Sequence, residues 1–317
     1  MRIATFNVQN LRLRRIAGRQ RFDGARDRDA PGDDGAAAAA LDLADRRLTA
    51  RIIAEARADV VCLQEVFDRA TLDYFHDHLL RHAGAPSYPH RVCEPGNDGG
   101  GRDLALLSRL PLADVQGHAR LRARDMGRGN PPGVHRDTPV FRRDCLRARV
   151  GPLTLFLCHF KAPWPDPEAA WPVRRLEAEA VRWLIEAQFP DPARAWWLVL
   201  GDLNDPEGVA QPGSALEPLA EIGVDLMARM PKAERWTFHE GAGGRYGRPD
   251  ALLASPALAA AWPEARPQAL RAGLSRDAER YGGPRLADVG AHRPHASDHA
   301  PLLIAFDGMA GAKAPEP

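Results

Sequence analysis

The chain has 317 residues, 44% of them hydrophobic and 27% charged, which is the balance of a folded globular protein and excludes a fibrous or disordered one. No run approaches the ~20 consecutive apolar residues of a membrane-spanning helix, and the opening Met-Arg-Ile-Ala-Thr-Phe-Asn turns polar too early for a signal peptide, so a cytoplasmic protein without stable membrane association is expected. The net charge of +1 announces no polyanionic partner, and because Lys stands only at Lys161, Lys232 and Lys313, Arg counts alone carry little weight.

Taken in chain order, the first strand is expected over residues 2–7. A helical stretch follows in which Leu48, Ile52, Ile53 and Ala56 share one face, leading into a strand over 59–65. Residues 104–108 and the segment around 112–115 read as a strand pair interrupted at Pro111, which has no N–H for a ladder. In 144–150, Leu146, Ala148 and Val150 alternate with charged positions, as in a half-buried strand. Gly151-Pro152 then turns the chain into 153–159, a hairpin. A long helix is expected to begin near Pro172, a residue tolerated in a first turn, and to continue through Leu176, Ala180 and Leu184. Segments 196–202, 249–254 and 301–306 complete the strands. Mixed strands and helices with antiparallel neighbours predict α/β layers rather than a purely parallel sheet.

Four stretches lack periodicity: 19–40, read as a mobile insertion; 120–143; 265–293; and the tail, read as disordered over 307–317. None divides two cores, so a single monomeric domain over 1–306 is expected. Of the cysteines Cys62, Cys93, Cys145 and Cys158, no two form a CxxC pair, and Cys62 and Cys158 sit in apolar runs, so neither a structural zinc nor a disulfide framework is indicated.

The chemistry lies in the polar residues that end these strands. Gly-Asp-Leu-Asn-Asp delivers Asp202 and Asn204 into a turn after an apolar strand; alone, this is ordinary turn composition. Leu-Gln-Glu-Val ends another strand at Glu65, which alone would be a cap or an ion-pair partner. Ser-Asp-His-Ala-Pro sets Asp298 and His299 before the last strand, and Thr-Phe-Asn ends the first at Asn7. Together these four strand ends carry three carboxylates, two amides and a histidine, which independent accidents explain poorly. A hard divalent cation takes oxygen ligands of this kind with water in its remaining positions. Hydrolysis at phosphorus needs a positioned water, a carboxylate to orient or deprotonate it, and positive charge for the developing oxyanion.

TFNVQNL, LQEV, CHFK, GDLND, RPDALLAS and SDHAPLL occur in the order and spacing of the endonuclease/exonuclease/phosphatase family, and the chain resembles that family from Arg2 to about Phe306. The resemblance implies a four-layer sandwich of two mixed β-sheets flanked by helices, the DNase I-like fold. It implies a Mg²⁺ (or Mn²⁺) site at Glu65 with Asn7 beside it and Asp298 ligating or orienting. Asp202 would align or deprotonate the attacking water, and Asn204 would hold the substrate phosphate. His299 would contact a phosphate oxygen, oriented by Asp250, and His159 would reach the phosphate from the opposite side. Two positions depart from the family pattern. Pro249 precedes Asp250 where an apolar residue is more usual, and His159 stands where abasic-site endonucleases usually carry tyrosine.

Lys161, two residues after His159, is a candidate phosphate contact or a solvated lysine. Asn10, Arg102 and Asp103 also resemble family positions, with loop bracing an equal alternative. His295 and His299 have the i, i+4 spacing of a helical zinc site, which Pro294 and the following strand oppose. The leading functional expectation is a nuclease acting on DNA or RNA, with the Arg-rich stretches 12–21, 120–143 and 265–293 as backbone contacts. The alternative keeps the mechanism and changes the substrate to a phospholipid, sphingomyelin or inositol phosphate head group, with Trp164 and Trp171 the only candidates for membrane contact. An inactive binding scaffold ranks last, because every core position is filled.

Overall fold

A computed structural model describes residues 1–27, 35–205, 213–241 and 244–312. In chain order it contains β1 (Arg2–Leu11), a hairpin of β2 (Leu13–Ile16) and β3 (Arg19–Phe22), α1 (Ala36–Ala56), β4 (Val60–Val66), α2 (Arg69–Phe75), β5 (His90–Glu94), β6 (Asp103–Ser108) and β7 (Leu112–Gly117). There follow β8 (Cys145–Val150), β9 (Leu153–His159), α3 (Pro167–Gln188), β10 (Trp197–Asp202), α4 (Glu217–Ala220) and β11 (Val224–Asp225). The chain closes with β12 (Phe238–Glu240), β13 (Arg245–Gly247), β14 (Asp250–Ala254), α5 (Pro256–Ala261), β15 (Gln268–Ala269) and β16 (Leu302–Ala305).

The strands form two six-stranded sheets, ordered β15-β16-β1-β4-β6-β5 and β11-β14-β10-β9-β8-β7. Each is mixed: β1 runs parallel to β4 and β9 parallel to β10, and their other neighbours are antiparallel. Side chains alternate between two buried faces. Leu153, Leu155 and Leu157 of β9 meet Ile3, Cys62 and Leu106 of the first sheet in a core between the sheets. Phe156 and Cys158 face the other way and pack with Val181 and Ile185 of α3. On the far side of the first sheet, Ala4, Phe6 and Val8 pack on Leu48, Ile52 and Ile53 of α1. The result is the expected α/β four-layer sandwich. All four cysteines are buried and unpaired.

Several local expectations are corrected. Helix α3 begins at Pro167, ahead of Pro172, because the Asp166 carboxylate caps it by accepting from the Glu168 and Ala169 N–H groups. β6 and β7 are not a pair: β6 lies between β4 and β5 in one sheet and β7 pairs β8 in the other. Pro111 ends the ladder, and the turn braced by Ser108 carries the chain between sheets. Within 19–40, Arg19–Phe22 is paired to β2 and residues 36–40 open α1, while 28–34 fall outside the described residues. Of the tail, Met309 is wholly buried in the core between the sheets, and 313–317 fall outside the described residues. Stretches 120–143 and 265–293 also contribute core residues, among them Val140, Phe141, Leu274 and Leu286.

Candidate active site

The two sheets end together, and the polar strand ends meet there. From the second sheet, the register sets Asp202 opposite both His159 and Asp250, so three adjacent strands present their last or first residue in one row. Gly201 makes that row possible: it has φ +131°, and a Cβ there would stand 2.0 Å from the Cys158 carbonyl oxygen. From the first sheet, β1 and β4 carry Asn7 and Glu65, and the segment entering β16 carries Asp298 and His299. The β1–β4 register shifts between Asn7 and Leu11, and Gln9 (φ 48°), Asn10 (φ 59°) and Glu65 (φ 67°) all adopt left-handed backbone. Such conformations are strained for non-glycine residues and persist only where the surroundings impose them.

Asn7 joins the two sheets. Its amide nitrogen donates to Asp202 Oδ2 at 3.0 Å and to Glu65 Oε1 at 3.3 Å, while its oxygen accepts from the Gln9 N–H at 3.0 Å. The other Glu65 oxygen accepts from the Asn10 N–H at 2.9 Å, and the Arg102 guanidinium lies 3.9 Å from it. Asp298 accepts from Ser297 Oγ, and its backbone N–H donates to Gln9 Oε1. Across the cleft, Asp250 Oδ2 receives both Thr237 Oγ1 at 2.6 Å and His299 Nδ1 at 2.9 Å. That leaves His299 Nε2 directed at the cluster, 3.8 Å from Asp202 Oδ2. His159 Nε2 is 3.5 Å from the same oxygen, and its buried Nδ1 has no hydrogen-bond partner. Asn204 (φ 53°) turns back, its N–H on Asp202 Oδ1 and its side-chain nitrogen on the Phe160 carbonyl.

The electrostatics follow from this geometry. Burial, with Asp250 and Glu65 nearby, raises the Asp202 carboxyl to about 6 despite His299 and the Asn7 bond. Burial, with Asp27 and Glu65, raises Asp298 to about 7. Burial would lower the His299 ring, but Asp250, Asp202 and Asp298 outweigh it and keep the ring protonated well above the usual histidine range. His159 goes the other way: burial, Arg143, His299 and Arg102 hold it neutral.

Of the residues singled out in the sequence, Asn7, Glu65, His159, Asp202, Asn204, Asp250, Asp298 and His299 are brought together. Lys161 is partly diverted, its ammonium donating to the carbonyls of Ala162 and Trp164. His295 turns away from the cluster onto Gln9 and the Ala25 carbonyl. Arg46, unmarked by any sequence pattern, is 0% exposed. Its guanidinium donates to the carbonyls of Val8, Gln9, Asn10, Asp23 and Gly24 and so fixes the distorted end of β1. Gln9 and Thr237 were likewise unmarked, because each acts on a partner remote in sequence, and Ser297, seen only as part of Ser-Asp-His-Ala-Pro, also bonds the remote Asn7 carbonyl.

Among the described residues, no three His, Cys, Asp or Glu side chains close into a metal cage. The arrangement is instead of the open kind by which Mg²⁺ is usually held, one or two carboxylates with water and substrate oxygens completing the shell. Glu65 and Asp298 fit it: both are partly accessible, and Asp298 has no Arg or Lys partner among the described residues.

The model of the Endonuclease/Exonuclease/phosphatase family matches residues 4–299. Solved structures with the same fold include an AP endonuclease from Archaeoglobus fulgidus, 18% identical over 97% of this chain and 99% of that one, with a TM-score of 0.55. An endonuclease/exonuclease/phosphatase from Beutenbergia cavernae is 18% identical over 96% of this chain and 70% of its own, with a TM-score of 0.57. Truncated TDP2 from Caenorhabditis elegans is 17% identical over 96% and 95%, with a TM-score of 0.53. A search of curated proteins finds no sequence match.

Proposed function

The chain belongs to the endonuclease/exonuclease/phosphatase family, and from that premise we propose that it hydrolyses phosphodiester bonds with Mg²⁺ or Mn²⁺ and acts on nucleic acid. One observation carries the reading. Glu65, Asp202, Asp250 and Asp298 converge from two sheets, while the basic groups in reach are His299, the neutral His159 and Arg102 at 3.9 Å. Buried or half-buried carboxylates repel one another unless a cation joins them.

Glu65 and Asp298 would hold that cation, which when bound supplies Lewis acidity and charge for the oxyanion. Asn7, with its oxygen already engaged by Gln9, is better suited to orienting Glu65 and Asp202 than to ligation. Asp202, ionised above about pH 6, aligns a water and accepts its proton. His299 directs Nε2–H at a phosphate oxygen, held there by Asp250 and, through it, Thr237. Asn204 and His159 would face the same phosphate from the second sheet, His159 through the Nε2 that lies 3.5 Å from Asp202.

Nucleic acid is favoured over a head group by the AP endonuclease among the structures sharing the fold. The Arg-rich loops add less than their composition promised. Arg124 is paired with Asp137, Arg271 lies over Trp236, and Arg276, Arg285 and Arg293 bond inward.

The test is turnover of a chromogenic diester, DNA, RNA and phospholipid head groups, each with Mg²⁺ or Mn²⁺ and with EDTA. Diester and nucleic-acid cleavage abolished by EDTA is expected. Activity confined to head groups would overturn the substrate, and activity indifferent to EDTA would overturn the cation.

A further inference from the structure

Trp164 is 75% exposed, whereas the next most exposed large hydrophobic residue among the described ones, Val115, is 39% exposed. An indole left in water forgoes the burial that makes tryptophan favourable in a fold. The loop that carries it is nonetheless braced throughout. The Lys161 ammonium bonds the carbonyls of Ala162 and Trp164, and the Lys161 N–H donates to the wholly buried Glu177 at 2.7 Å. The Lys161 carbonyl accepts from Arg174, and Asp166 caps α3 directly afterwards. Trp171, half-buried in the first turns of α3, is already engaged, with Nε1 on the Gly213 carbonyl and Arg175 over its ring.

The loop is also tied to the site. It leaves β9 at His159, and the Phe160 carbonyl between them receives Asn204 and Arg143. A single flat π-surface thus stands on a hydrogen-bonded loop, five residues along the chain from His159 of the cluster. The flat group that accompanies a phosphodiester is a nucleobase, and base–aromatic stacking tolerates any base because each has a π-face. A membrane is a poorer occupant. The exposed large hydrophobics lie apart, on β7, α3, β11 and this loop, and Asp166 and Glu168 beside Trp164 oppose an anionic leaflet.

We infer that Trp164 is a stacking platform for an unpaired base of the substrate, which makes single-stranded or locally opened nucleic acid the substrate class. This rests on the phosphodiesterase reading above. The experiment compares the full-length wild type, Trp164→Phe and Trp164→Ala for binding, in EDTA, to a single-stranded oligonucleotide and to a base-free sugar–phosphate oligomer with the same number of phosphates. Cleavage of the oligonucleotide with Mg²⁺ is followed in parallel. Trp164→Ala should weaken oligonucleotide binding roughly five- to hundredfold, with Trp164→Phe retaining most of it and the base-free oligomer insensitive to both. Equal losses on both oligomers, or none on either, overturn the platform, as does Trp164-dependent sedimentation with phosphatidylserine vesicles. If the wild type cleaves the oligonucleotide but Trp164→Ala binds it unchanged, the platform fails alone. If the wild type cleaves no nucleic acid, the functional reading fails with it.

Discussion

Two acid-rich regions lie on opposite sides of the end of β1, and they are built on opposite principles. Behind the strand, Asp42 and Asp45 are 1% and 0% exposed, yet each has a guanidinium: Arg293 bonds both, and Arg21 and Arg26 reach Asp42. Burial works against charge on Asp42, and these arginines overcome it, holding the carboxyl below its ordinary value. In front of the strand, Asp202 is buried and Asp298 half-buried, neither has an Arg or Lys partner among the described residues, and both are raised. Ion pairs that close within the protein serve architecture, here the clamp of Arg46 on five backbone carbonyls. A carboxylate cluster left unclosed is destabilising until a ligand completes it, and it therefore marks where function resides.

The largest effect expected from this contrast is on catalysis. Asp202→Asn should lower kcat by a factor on the order of 10²–10⁴, because the water loses its proton acceptor. Stability should change little, since the buried charge it removes is offset in the wild type by His299 at 3.8 Å and by no Arg or Lys among the described residues. The comparison breaks if kcat survives and KM rises instead, for Asp202 would then only bind substrate.

The architectural side should respond in reverse. Arg46→Met leaves five buried carbonyls without their donor, and breaking such a network typically costs about 3–5 kcal/mol. Denaturant unfolding of the variant measures this directly. Because the Asn10 N–H and Gln9 Oε1 position Glu65 and Asp298, surviving folded protein should also need more Mg²⁺ for half-maximal activity. A loss under ~1 kcal/mol would show that the carbonyls find water instead, and that the clamp is not what holds the strand end.

The two regions also differ in how far the sequence disclosed them. The mixed α/β layers and the residues of the front cluster were legible because GDLND, LQEV and SDHAP each combine an apolar strand with a polar terminus, a local pattern. The rear network was not. Arg46 sits in a helix whose apolar face was read from Leu48, Ile52 and Ile53, and its partners are carbonyls, which carry no sequence signature. Asp42 and Asp45 were not singled out and Arg293 stood in a stretch read as a backbone contact, since nothing local announces a pair separated by 248 positions. The core residues of 120–143 and 265–293 went unread for a related reason. Residues such as Phe141, Leu274 and Leu286 are buried singly by tertiary contact, without the repeat that periodicity detects.

The smallest expected effect tests the contrast through pH. Asp298 is raised from 3.8 to about 7, so the folded protein takes up its proton more readily than the unfolded chain. Its contribution to stability is fully present below pH 3.8 and is lost as pH rises through about 7. Asp42 is lowered, so its contribution is present above its ordinary value and is lost as pH falls through the lower folded one. Other groups titrate too, so the informative quantity is the difference between proteins. In EDTA, the stability of Asp298→Asn relative to wild type should increase between pH 5 and pH 7 by about 2 kcal/mol, at ~1.4 kcal/mol per unit. Asp42→Asn should instead lose ground to wild type as pH rises from 2 to 5. Saturating Mn²⁺ should abolish the first difference or reverse it, because the cation favours ionised Asp298, and should leave the second untouched. Parallel pH profiles for wild type and Asp298→Asn would mean that Asp298 is already matched by a partner within the protein. The front cluster would then be closed in the same way as the rear network, and the case for a bound cation would lose its electrostatic basis.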